Sequence, residues 1–120
     1  MSANTSAKLI DASAGVTSSQ ASTVQVNAGY RGGHIVINTT AVATGASLTP
    51  SIIGLCNNVE YTILTGDVIS STGVTILKIY PGIGSLVNGA VSDILPNQWR
   101  LDVAVTGGSV SFTANGNLVR

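Results

Sequence analysis

The chain has 120 residues with five basic and five acidic side chains, so only 8% is charged against about 25% in an average globular protein, and the formal net charge is zero. That length fits one domain with a single core. Lys8, Arg31, Lys78, Arg100 and Arg120 are scattered rather than clustered, which argues against a phosphate-neutralising nucleic-acid binder, and no apolar run approaches the roughly 20 residues of a membrane span.

Residues 1–7 are small and polar with nothing to bury, and read as a flexible arm; residues 8–120 read as one β domain. Residues 8–12 form a short edge strand, residues 13–22 a Ser/Thr/Gly loop, and residues 23–27 a second strand with Val24 and Val26 on one face. After a glycine-rich turn, residues 34–43 place Ile35, Ile37 and Thr39 toward the core and His34, Val36 and Asn38 away from it. Residues 48–56 follow, with Pro50 pointing to an edge position or a bulge. Asn57-Asn58 supplies the positive φ values of a tight hairpin, leading into residues 59–65 and setting Cys56 against Val59 and Ile52 against Ile63.

Residues 66–73 form a loop with a brief extended piece at Val68-Ile69, and residues 74–80 a strand closed by Pro81-Gly82. Residues 82–97 are an irregular connection crossing between sheets, with a helical turn over residues 91–95. From Trp99 the period is two: Trp99, Leu101, Val103 and Val105 face one side, and Arg100, Asp102, Ala104 and Thr106 the other. Gly107-Gly108 reads as a hairpin turn that sets Val105 against Val110, Val103 against Phe112 and Leu101 against Ala114, after which residues 116–120 trail off. Seven to eight short strands without a helical period predict an all-β, antiparallel β-sandwich or flattened barrel.

The residue types that carry chemistry do not cluster in the sequence. His34 is the single histidine, has no acidic neighbour in sequence, and reads as a solvent-facing or interface side chain. Cys56 excludes an internal disulfide by being alone and reads as a small buried hydrophobe. Asp11, Glu60, Asp67, Asp93 and Asp102 contain no close carboxylate dyad, and Gly82-Ile83-Gly84 lacks the third glycine and the helix of a dinucleotide site. Arg100 and Asp102 share a strand face as a surface ion pair or an interface contact, and Asp93 reads as the cap of a helical turn or an acceptor of hydrogen bonds from the long loop. Trp99 reads as core; exposed, it would suit a sugar-stacking platform. The expectation is a protein with no catalytic residue, no cofactor and no metal.

A neutral, charge-poor surface disfavours a free monomer, because self-repulsion keeps small proteins apart. Residues 1–7 show neither the basic start nor the apolar core of a signal peptide, so the expectation is synthesis in the cytoplasm and incorporation into a particle assembled there.

The ordered set Arg31-Gly32-Gly33-His34-Ile35-Val36-Ile37, Tyr61-Thr62-Ile63-Leu64, Leu77-Lys78-Ile79-Tyr80-Pro81-Gly82 and Asp93-Ile94-Leu95-Pro96-Asn97-Gln98-Trp99-Arg100-Leu101 resembles small virion proteins encoded among the head genes of tailed bacteriophages and prophages. The resemblance implies a capsid decoration, or cement, protein on the capsid surface of the virion, a homo-oligomer (dimer or trimer) whose partner is the major capsid protein of a phage head. Nucleic acid, membrane and small-molecule substrates are not expected. Candidate partner contacts are Ser2, Asn4, Thr5, Lys8, Tyr30, Arg31 and Asn88, on the arm, the strand edges and the 82–97 connection. The competing readings are a carbohydrate-binding or adhesin module, which needs exposed aromatics, and a tail or neck subunit; an enzyme would need His34 and carboxylates to converge in a pocket.

Overall fold

The computed structural model describes residues 5–27, 29–81, 90–91 and 93–119. Among them are ten strands: β1 (Thr5–Val16), β2 (Gln20–Ala21), β3 (Gln25–Val26), β4 (Gly32–Val42), β5 (Ser47–Cys56), β6 (Val59–Thr65), β7 (Gly73–Ile79), β8 (Ala90–Val91), β9 (Gln98–Thr106) and β10 (Val110–Val119). One sheet has the order β1-β10-β4-β7-β8, the other β2-β9-β5-β6, with β3 also pairing to β9. All pairings are antiparallel except the short parallel contact of β7 with β8. With β2 and β3 taken as one interrupted strand and the two-residue β8 set aside, the strands interleave between the layers in the order of a jelly roll, a sandwich of two sheets.

The alternation read from the sequence holds, but the pairing drawn from it does not. Trp99, Leu101, Val103 and Val105 of β9 and Val110, Phe112 and Ala114 of β10 are all buried, as expected. They do not pair with one another. β9 pairs with β5 through Ser47↔Thr106, Ile52↔Leu101 and Gly54↔Trp99, while β10 lies between β1 and β4 in the opposite sheet. Gly107-Gly108 is therefore an arch between sheets, not a hairpin turn. Its φ values of +79° and +146° explain the difference, since the second exceeds the roughly +60 to +90° used by primed turns. A hairpin lays two apolar faces side by side and an arch lays them face to face, and period two satisfies both.

Other boundaries shift for local reasons. β1 begins at Thr5 rather than residue 8 and runs to Val16, with register irregularities after Lys8 and after Ala12, so residues 13–16 of the predicted 13–22 loop belong to β1 and residues 20–21 to β2. Of the expected arm, Thr5, Ser6 and Ala7 pair with Leu118, Asn117 and Gly116; residues 1–4 lie outside the described residues. β3 is only two residues long, and Val24 and Val26 are exposed. The Asn57-Asn58 hairpin forms with both φ values positive and with Cys56 opposite Val59, but a bulge displaces the predicted Ile52–Ile63 pair to Ile52↔Leu64.

Pro50 lies in an interior strand, not at an edge or the bulge. Its carbonyl accepts the Gly66 N–H just past the end of β6, so the missing donor interrupts no ladder bond to β9. Ile69 makes an isolated bridge to Leu48, matching the expected extended piece. Among the described residues of the predicted helical turn none is helical: Val91 belongs to β8 with Ala90, and Leu95 is buried within a loop, while residue 92 lies outside the described residues. The predicted trailing end is instead part of β10, which continues to Val119 between β1 and β4.

The core between the sheets is filled by Trp99, Phe112, Ile35, Ile37, Leu48, Ile52, Leu77, Ile79 and Leu101, all almost inaccessible to water. Each such side chain contributes about 1.5 to 3 kcal/mol on burial. Gly107 and Gly45 test the arch directly. Both have positive φ, yet a Cβ at Gly107 would collide with the Gly45 carbonyl oxygen, whereas at Gly45 it meets nothing within 4 Å. Gly45→Ala is expected to cost about 1 kcal/mol and Gly107→Ala at least about 3 kcal/mol in urea denaturation.

Candidate functional site

Register brings three of the predicted contact residues, Thr5, Tyr30 and Arg31, to one end of the sandwich. Thr5 pairs with Leu118, Leu118 with Gly33, and Gly33 with Ile79, so the start of β1, the start of β4, the end of β7 and the end of β10 form one row across the first sheet. Tyr30 and Arg31 immediately precede β4 at that row. Pro81 and Ala90, which flank residues 82–89, lie there too. Ser2, Asn4 and Asn88 fall outside the described residues. Lys8 sits further along β1, exposed and ion-paired with Asp11 at 3.4 Å.

Asn27 holds this end together. Its Nδ2 donates to the carbonyls of Tyr30 at 2.6 Å and Leu95 at 2.8 Å, and its Oδ1 accepts the Tyr30 N–H at 2.7 Å. The Asn27 N–H donates to the Asn97 carbonyl, the Leu95 N–H to the Arg31 carbonyl, and the Arg31 N–H to the Val119 carbonyl. Half-buried Tyr30 packs against the core while Arg31 stays exposed, and Asp93 caps locally through the Ile94 N–H at 2.7 Å. Two serines stitch the interrupted β2–β3 edge onto β9. Ser22 Oγ accepts the Leu101 N–H at 2.9 Å and donates to the Thr23 carbonyl, and Ser19 Oγ accepts the Val105 N–H. Asn27, Ser19 and Ser22 were not singled out by sequence reasoning, because each sits in loop vocabulary whose distant partners only the fold reveals.

The outer face of the second sheet carries a charged bridge. Arg100 donates to both oxygens of Glu60, at 2.8 and 2.9 Å, and to both oxygens of Asp102, at 2.7 and 3.1 Å. To reach Glu60 on β6 from β9 the guanidinium must cross β5, where Ile53 is its cross-strand neighbour; this explains why Ile53 is only 8% exposed on an outward face. The Arg100–Asp102 surface pair is thus present, extended to a third member that the sequence did not suggest. A shallow open groove beside it is lined by Ser19, Gln20, Arg100 and Asp102.

The remaining reactive groups are dispersed. His34 is exposed between Asn117 and Lys78, with no carboxylate opposite it. Cys56 is exposed at the hairpin end, correcting its assignment as a buried hydrophobe, because the two-residue turn leaves the closing pair beyond the covering sheet. Among the described residues no group of three or more His, Cys, Asp or Glu could hold a metal ion. Trp99 is fully buried, which removes it as a sugar platform; of the five aromatic side chains only Tyr61 is exposed, with its ring lying over Gly54. Among the described residues no helix is long and apolar enough to cross a membrane. No family model, curated protein or solved structure matches the chain.

Replacing Asn27 by Ala removes three part-buried hydrogen bonds, an expected loss of about 2 to 3 kcal/mol in chemical denaturation. The hydrogen bond from Arg100, aided by its charge, holds the Glu60 carboxyl below its ordinary value of 4.5. A carboxylate depressed in the folded state stabilises above its unfolded pKa, and that contribution disappears as pH falls through the folded value. Glu60→Gln should therefore show a shallower fall in urea midpoint below pH 4.5 than the parent protein, with parallel curves above it.

Proposed function

We propose that the protein is a non-enzymatic virion structural protein, a decoration (cement) protein that binds the major capsid protein on the outside of a tailed-phage head as a homo-oligomer. The observation that carries this reading is the convergence of Thr5, Tyr30, Arg31 and the flanks of residues 82–89 at one end of the sandwich. That end offers backbone and loop surface to a partner, while most of the carboxylates are engaged elsewhere. Glu60 and Asp102 hold Arg100, and Asp11 holds Lys8 and Ser13. A surface with few free charges suits weak contacts repeated over many equivalent shell sites, where avidity supplies the strength.

The strand order also fits, since jelly rolls recur in viral capsid proteins, though the same architecture serves lectins and fold alone assigns no function. A carbohydrate-binding module is less well supported, because Tyr61 is the one exposed aromatic. A tail or neck subunit would differ mainly in copy number.

Co-sedimentation with empty mature heads lacking the protein tests this reading. The expected result is saturable binding at a copy number matching the local symmetry axes of the shell, and no binding at any ratio would refute it. Deleting residues 1–4, which spares the β1 pairing that begins at Thr5, combined with Arg31→Ala, is expected to weaken binding at least about tenfold.

A further inference from the structure

The edges of the two sheets are not equally protected. A free edge presents unpaired N–H and C=O groups to any other extended chain, and natural proteins blunt it with short strands, charges, proline or irregular register. β1 carries Lys8, Asp11 and two register irregularities; β8, β2 and β3 are two residues each. Over its first half β6 carries one of these devices, the charge of Glu60, and that carboxylate is drawn back across its own sheet by Arg100. The strand is seven residues long, contains no Lys, Arg or Pro, and keeps regular register from Val59 through Thr62, its bulge falling beyond. Residues 59–62 are all exposed, with Val59 at 65% and Tyr61 at 45%.

We propose that β6 is the contact by which two copies of this chain associate, pairing antiparallel about a twofold axis at Tyr61 and joining their second sheets into one continuous sheet. The occupant follows from backbone parity and charge. Cys56 and Val59 close a two-residue hairpin and exchange hydrogen bonds, as does the alternate pair Gly54↔Tyr61, so the N–H and C=O of Glu60 and Thr62 point away from β5. A second β6 centred on Tyr61 sets Glu60 opposite Thr62 of the other copy, matching those outward groups in both directions. Val59 then meets Ile63 and Tyr61 meets Tyr61, so apolar side chains oppose apolar ones. No like charges face each other, because Glu60 is the single charge on the strand and is drawn across its own sheet by Arg100. An isologous contact of this kind closes at two copies and does not involve the loop end carrying Tyr30 and Arg31.

The inference rests on the homo-oligomer part of the proposed function. Its test contains no phage shells, so its failure and the failure of shell binding are read separately. Sedimentation equilibrium of the full chain at about 100 µM should give twice the 12.1 kDa chain mass. Thr62→Pro removes a donor that only a second strand would use, and proline is tolerated at such an edge position; it should give the single-chain mass with an unchanged far-UV circular dichroism spectrum. As a second measurement, Tyr61→Cys in a Cys56→Ala background places two thiols across the proposed axis in a non-hydrogen-bonded pair, about 4.5 Å between Cα atoms, within reach of a disulfide. Mild oxidation should yield a covalent dimer. A parent protein of single-chain mass overturns the proposal, as does a dimer that survives Thr62→Pro with its spectrum intact. Should Thr62→Pro lose its strand spectrum, the cross-link decides alone, and its absence overturns the proposal.

Discussion

The whole architecture depends on the close approach of the Gly107 backbone to the Gly45 carbonyl. That contact lets the chain leave β9 and enter β10 in the opposite sheet, so that two strongly alternating strands face each other instead of lying side by side. Once β9 and β10 occupy different layers, Trp99 and Phe112 are drawn into the space between them. β5 and β4 must then supply the neighbours that each strand would otherwise have found in the other. The hydrophobic effect drives the burial without specifying the pairing, and the paired glycines supply the positive φ values that the arch uses.

Outside the core, specificity comes from a few polar side chains reaching long distances in sequence. Asn27 ties the loop before β4 to the loop before β9, and Ser19 and Ser22 bond strand β9 more than 75 residues away. Arg100 spans three strands. These contacts use up much of the charge and hydrogen-bonding capacity of a charge-poor chain. What remains presented outward is an ensemble of amides, hydroxyls, edge backbone and isolated apolar groups. Such a surface suits repeated, individually weak contacts, and the two regions assigned to association, the loop end and the β6 edge, both belong to it.

The sequence made the inward faces legible. Period-two patterns in residues 34–39 and 99–105 identified buried Ile35, Ile37, Thr39, Trp99, Leu101, Val103 and Val105, and Asn57-Asn58 announced its own turn through positive φ. Partner choice was not legible, because a glycine pair permits an arch as readily as a hairpin and both bury the same side chains. The Ile52–Ile63 slip arose from one bulged residue, invisible in composition, and exposed Cys56 shows that an apolar neighbourhood in sequence does not fix burial at a strand end. Tyr30 and Arg31 were read from the sequence as candidate partner contacts. Their alignment with Thr5 required the register of four strands, and Asn27 required a hydrogen bond across 68 positions.

The most direct test of the account is a set of backbone nuclear Overhauser effects on isotopically labelled protein, read at Leu101. The arch predicts cross-strand contacts from Leu101 to Ile52, with Ala114 instead contacting Ile37 and Ile10. Backbone contacts between Leu101 and Ala114 would place β9 and β10 in one hairpin and contradict the two-sheet arrangement on which every later inference stands.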